Sequence, residues 1–141
     1  MLVWVTVTGK SRTTDGETDT VETVSPGRLS AVPEGWRLWY EESAESGTPA
    51  VRTAVTVSAG RVTMERRGQG KTRMEFVPGH RSACDYDTGF GRLPLGFTAE
   101  RVEAELSETG GWVRLWYTMD QYGAPVSSHE VQIRVKAREK G

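Results

Sequence analysis

Val51-Arg-Thr-Ala-Val-Thr-Val57, then Ser58-Ala59-Gly60, then Arg61-Val-Thr-Met-Glu-Arg66 is the stretch that decides the fold class. Two runs with a period of two flank a short glycine turn. Val51, Val55 and Val57 share one face of the first run, and Val62 and Met64 share one face of the second. Successive side chains of a strand point to opposite faces, so this alternation describes two half-buried β-strands joined as a hairpin. Val and Thr, which suit a pleated surface, supply most of the positions.

The same period extends in both directions. Val3, Val5 and Val7 alternate with Trp4, Thr6 and Thr8. Trp36, Leu38, Tyr40 and Glu42 share a face; so do Met74 and Phe76, Cys84 and Tyr86, and Leu93, Leu95 and Phe97. Val113, Leu115, Tyr117 and Met119 form another set, and Val131, Ile133 and Val135 the last. Between the runs stand turn signals: Asp15-Gly16, Gly68-Gln69-Gly70, Thr109-Gly110-Gly111 and Tyr122-Gly123, with breaks expected at Pro26-Gly27, Pro33-Glu34-Gly35 and Pro78-Gly79. The segment Thr98–Ser107 contains good helix formers, but Val102, Ala104 and Leu106 alternate with Arg101, Glu103 and Glu105, so it reads as strand. Such even punctuation predicts an all-β chain, one domain over 1–141, folded as an antiparallel meander of about eight to ten strands and closed or nearly closed into a barrel.

Composition narrows the function classes. Eighteen Lys+Arg against 19 Asp+Glu give a net charge of -1, so there is no global basic field for gripping phosphate, only room for a local patch. One cysteine excludes an internal disulfide framework and a zinc site built on several thiolates. Two histidines and one cysteine make only a weak metal signal, and no cofactor is expected. No apolar run reaches the length of a membrane helix, so no membrane partner is expected. The first ten residues alternate and lack a basic n-region, which reads as a strand rather than an export signal; with unpaired Cys84, the cytoplasm is the expected compartment.

Several motifs carry chemistry on paper. Gly68-Gln-Gly-Lys-Thr72 resembles the tail of a phosphate-binding loop, but Glu65 stands where the first glycine belongs, and a strand follows where a helix is required. His80, Ser82, Cys84 and Tyr86 are expected on one strand face, where i and i+4 lie about 13 Å apart, too far for a Cys–His couple. Glu41 and Glu42 point to opposite faces. Glu42 follows Leu38 and Tyr40 inward, and Arg66 follows Val62 and Met64 inward. A lone inward guanidinium needs a partner, and Glu42 is the candidate. The pair has two readings: an ion pair closing one end of the interior, or an arginine holding the anionic head of a ligand while Glu42 holds the arginine.

The second reading gives the leading functional expectation, a non-enzymatic barrel that takes a small, partly apolar ligand. Its acidic group would sit near Arg66, with Tyr40, Phe76, Tyr86, Tyr117 and Met119 along the wall. One alternative is a strip for single-stranded nucleic acid made by Arg134, Lys136, Arg138 and Lys140, with Trp112 and Trp116 beside it. Another is an enzyme using Glu42 or His80 as acid or base in the barrel mouth.

Trp39-Tyr40-Glu41-Glu42, Val62-Thr-Met-Glu-Arg66-Arg-Gly68, Phe76-Val-Pro-Gly79, Tyr86-Asp-Thr-Gly-Phe-Gly91 and Tyr117-Thr-Met119 together resemble the YwiB-like family of small bacterial proteins. The resemblance runs over nearly the whole chain. It implies a cytoplasmic calycin-like, lipocalin-like β-barrel and a domain of unknown function. Tyr40, Glu42, Arg66, Gly68, Phe76, Gly79, Tyr86, Gly91 and Tyr117 match the family's recurrent positions, none of which is an established catalytic residue there. An interior that accepts a small molecule is what the calycin likeness suggests.

Overall fold

The computed structural model describes residues 1–42, 51–68, 71–87 and 91–138; the side chains of Cys84, Tyr86, Asp87 and Arg92 lie outside that description. Ten strands make up its regular structure: β1 (Leu2–Thr13), β2 (Thr18–Val32), β3 (Gly35–Glu42), β4 (Val51–Ser58), β5 (Arg61–Arg67), β6 (Lys71–Phe76), β7 (Arg81–Asp87), β8 (Arg92–Ser107), β9 (Gly110–Gln121) and β10 (Ala124–Ala137). All described pairings are antiparallel, and no helix occurs among the described residues. This is the all-β meander that the alternation predicts.

The sheet order is β6-β5-β4-β3-β2-β1-β10-β9-β8-β7. The two terminal strands are therefore zipped together, from Val3↔Ala137 to Thr13↔Ser127. The break in the barrel falls in mid-chain, between β6 and β7, which no ladder joins. Contacts of another kind bridge it. Ser82 Oγ on β7 donates to the Glu75 carbonyl on β6 at 3.1 Å, and the Phe76 ring packs on Phe97 with centroids 5.5 Å apart. The barrel is thus nearly closed.

Inward side chains fill its middle. Val3, Val5, Leu38, Val55, Val113 and Ile133 are fully buried, and Val62, Phe76, Phe97 and Leu115 nearly so. Each contributes about 1.5–3 kcal/mol by leaving water. Their parity follows the sequence pattern strand by strand, with one shift. In β8 the register slips between Ala99 and Arg101, a β-bulge. Phe97 and Ala99 face in before it; Val102 and Leu106 pack inward after it. That extra residue explains why Leu93–Phe97 keep odd parity and Thr98–Ser107 even parity: the two runs are one 16-residue strand.

Two local expectations are corrected. Pro26-Gly27 is not a break, because β2 runs through it. The ladder to β3 begins at Gly27↔Tyr40, just past the proline, and a Cβ on Gly27 would stand 2.5 Å from the Trp39 carbonyl oxygen and 2.8 Å from Val5 Cγ2. The glycine makes room for the Trp39 carbonyl and the Val5 side chain and does not interrupt the strand. His80 does not share the Ser82 face. It is exposed in the β6–β7 connection, where its N–H donates to the Val77 carbonyl at 3.0 Å and Gly79 takes a φ of 79°.

Candidate functional site

The expected site residues gather at one end of the barrel, the end that carries the β1–β2 and β9–β10 turns. Register lines them up across strands. Tyr40 on β3 is opposite Thr53 on β4, which is opposite Arg66 on β5. On the far wall, Tyr117 of β9 is opposite His129 of β10, and Met119 is opposite Ser127. Arg66 Nη2 donates to Glu42 Oε2 at 3.4 Å, so the partner is the expected one. The burial is not: the Arg66 side chain is 45% exposed and that of Glu42 29%. Both keep inward parity, but they stand at strand ends, on the rim instead of within the tube.

Below the rim the site is dry. Tyr40 is 6% exposed, and its phenol is pushed up to about 12, first by burial and then by the Glu42 carboxylate; the Arg66 charge and the Thr53 hydroxyl pull the other way. Thr53 is 1% exposed, and its Oγ1 has no well-formed hydrogen bond among the described residues. Tyr117 is also pushed up by burial, again opposed by Arg66. One guanidinium therefore acts on phenols of both walls. Phe76, 1% exposed, packs against Phe97 and Tyr117 (centroids 5.1 Å) and forms the floor. Met74 and Met119 are half-buried beside it. Tyr86 pairs with Leu93 through its backbone, and its side chain lies outside the described residues.

On the opposite wall the residues alone point to Tyr117 and Met119 but not to Ser127 and His129. Ser127 Oγ and His129 Nε2 are 2.7 Å apart, and the His129 ring stacks on Tyr117 at 4.9 Å and 9°. Burial holds the imidazole below its ordinary value. Ser127 and His129 are two apart, so their common face was readable; their meeting with Tyr117 depends on the β9–β10 register. Gly9, inward after Val5 and Val7, is opposite Val131 and Val21, and a Cβ there would meet nothing within 4 Å. The mouth is therefore open on the β1 side, where a groove of about 400 Å³ reaches Tyr117 and His129. This groove and two others, of about 660 and 540 Å³, are not lined by Arg66, Phe76 or Met119.

The expected basic strip is only partly assembled. Arg134 and Lys136 are exposed on the outer face of β10, and Lys140 lies outside the described residues. Arg138 turns over the Trp4 ring, 5.4 Å from its centroid. Trp112 and Trp116 are half-buried, covered by Arg114 and Arg101. The more exposed indoles are Trp4 and Trp39, because odd parity in β3 turns Trp39 out and leaves Trp36 packed against the core.

Residues 5–133 match the family model described as a domain of unknown function, DUF1934. The chain belongs to this family. A curated relative, the uncharacterized beta-barrel protein YwiB of Bacillus subtilis (strain 168), is 30% identical over 105 residues, which is 74% of this chain and 72% of the relative. The crystal structure of the ywiB protein from Bacillus subtilis superposes with a TM-score of 0.85 at 25% identity, covering 98% of this chain and 92% of that one. The relatives thus share a barrel fold, and the chemistry must be argued from the mouth.

Proposed function

We propose that this DUF1934 barrel is a non-enzymatic binding protein for a small, partly apolar anion, held at the mouth by Arg66. One observation carries the reading: an inward-parity guanidinium sits on the rim above Tyr40, Thr53 and Tyr117 with a single hydrogen bond among the described residues, and that bond is long at 3.4 Å. Arginine offers five N–H donors in a fixed fork that suits a carboxylate or phosphate. Glu42 orients the fork and leaves most of it free. The apolar part of the ligand would rest on Met74, Met119 and Tyr117, with Phe76 as floor and the space beside Gly9 as entry. This is the use of a calycin-like interior that the family resemblance implies. A lone cysteine supports a cytoplasmic setting.

Titration with 8-anilinonaphthalene-1-sulfonate, an apolar anion, tests it. Saturable one-to-one fluorescence is expected, weakened about tenfold or more in Arg66→Gln, the scale of one charge-assisted hydrogen bond. The half-exposed Arg66–Glu42 pair adds no more than about 1 kcal/mol to stability, so Arg66→Gln folds normally. Equal binding by the variant would end the proposal, and so would collapse of its fold, which would make the pair structural.

A further inference from the structure

The outer face of β1, β2 and β3 has a character the barrel mouth does not explain. We propose that this face, centred on Trp39, binds single-stranded nucleic acid. Cross-strand register sets two outward rows side by side. One runs Leu2–Arg28–Trp39–Ala54, the other Lys136–Trp4–Pro26. Trp4 is 46% exposed and Trp39 38%, although Arg138 lies over the first ring and Arg37 over the second at 5.4 and 5.1 Å. A groove of about 660 Å³ along the first row is lined by Leu2, Arg28, Trp39 and Arg138, and by Arg52 with its partner Glu41.

The unpaired charge along these two rows is positive. Arg28, Arg134 and Lys136 pair with no carboxylate among the described residues, whereas the nearby Glu41 and Glu65 are already taken by Arg52 and Arg73. A chain whose net charge is -1 has thus concentrated unpaired cations around two exposed indoles. Cations track a phosphate backbone, and flat aromatic faces take unstacked bases, which is the sequence-tolerant chemistry of single-strand binding. A duplex offers no free base faces.

Fluorescence anisotropy with fluorescein-labelled dT12 and U12 tests the assignment, at 50 and 200 mM NaCl. Binding is expected at the lower salt and about twentyfold weaker at the higher, the slope for about three phosphates on a single strand. Trp39→Ala should weaken it about tenfold, within the range for losing one stacked base. Arg28→Gln, an exposed change that leaves the sheet intact, should flatten the salt dependence. Arg66→Gln should bind these oligonucleotides like wild type, which separates this face from the barrel mouth. The assignment falls if neither oligonucleotide binds at 50 mM NaCl, or if Arg28→Gln leaves affinity and slope unchanged. Equal affinity for a 12-base-pair duplex, or phosphatidylserine vesicles displacing the oligonucleotide, would also overturn it.

Discussion

The Arg81 guanidinium lies against the bare backbone of Gly96 and closes on Asp120 with hydrogen bonds of 3.0 and 2.7 Å. Arg81 belongs to β7, Gly96 to β8 and Asp120 to β9, so one side chain clasps three strands beside the open seam. The bond from Arg81 is the main reason the Asp120 carboxyl is held below the usual carboxylate range, and Asp120 also accepts the Gly123 N–H of the β9–β10 turn at 3.0 Å. A Cβ on Gly96 would stand 2.1 Å from Arg81 Nη2. Gly96→Ala should therefore expel the guanidinium and lower the thermal midpoint. In Asp120→Asn, which keeps the turn bond but loses the ion pair, the same alanine should have little further effect. A double-mutant cycle by thermal melting checks this; strict additivity would show that the clasp contributes nothing.

Tyr40 makes the fold sensitive to alkali. A phenol at about 12 in the fold and 10.0 in the unfolded chain stays neutral when folded and ionises first when unfolded. Its contribution is fully present below pH 10 and is lost as pH rises towards 12, amounting to roughly 3 kcal/mol over that window. Tyr40→Phe removes the gap between the two states. Urea midpoints at pH 9 and pH 11.5 should fall more steeply for wild type than for Tyr40→Phe, and parallel falls would contradict the burial of the hydroxyl.

At the opposite pH extreme the controlling group is His129. Burial lowers its value in the fold, so below about pH 6.5 the unfolded chain binds the extra proton more readily. The stability from a neutral imidazole is complete above that value and drains away as pH drops through the lowered one. His129→Gln retains a group able to bond Ser127 but cannot titrate. Between pH 7.5 and 5.0 its melting temperature should fall less than that of wild type. Identical falls would mean that the ring is freely hydrated and not stacked under Tyr117.

Parity, the most local of the signals, made most of the fold legible. It put Tyr40, Glu42 and Arg66 on one face, set Glu41 on the other, and named Glu42 as the partner of Arg66. What parity could not give is depth along the barrel axis. Arg66 stands at a strand end, and only the stagger of β4 against β5 tells that its guanidinium reaches the rim. Lateral neighbours were equally hidden. The guanidiniums over Trp4, Trp39, Trp112 and Trp116 come from another strand, from just past the end of β10, or from two residues away on the same strand, and nothing in one run of sequence says which indole will be covered. Pro26-Gly27 misled because a proline–glycine pair usually turns the chain; here the missing Cβ serves a close approach of Trp39 and Val5.

The position of the seam has a consequence for how the barrel opens. In a plain meander the terminal strands are the natural edges, yet β1 and β10 share eleven paired positions, and the edges are β6 and β7 in mid-chain. Each of these has a ladder on one side only, and across the seam Ser82 Oγ donates to the Glu75 carbonyl. Local opening follows the weakest hydrogen-bonded boundary. Hydrogen exchange should accordingly be fast over 71–87 and slow over 2–13 and 124–137, although the latter include the chain's terminal strands. Ser82→Ala should speed exchange at β6 and β7 and leave β1 and β10 unchanged, because it removes the bridge without touching either ladder. Slow exchange across 71–87, or a Ser82→Ala effect spread over the whole barrel, would mean that β6 and β7 are held as tightly as the paired strands and that the barrel opens elsewhere.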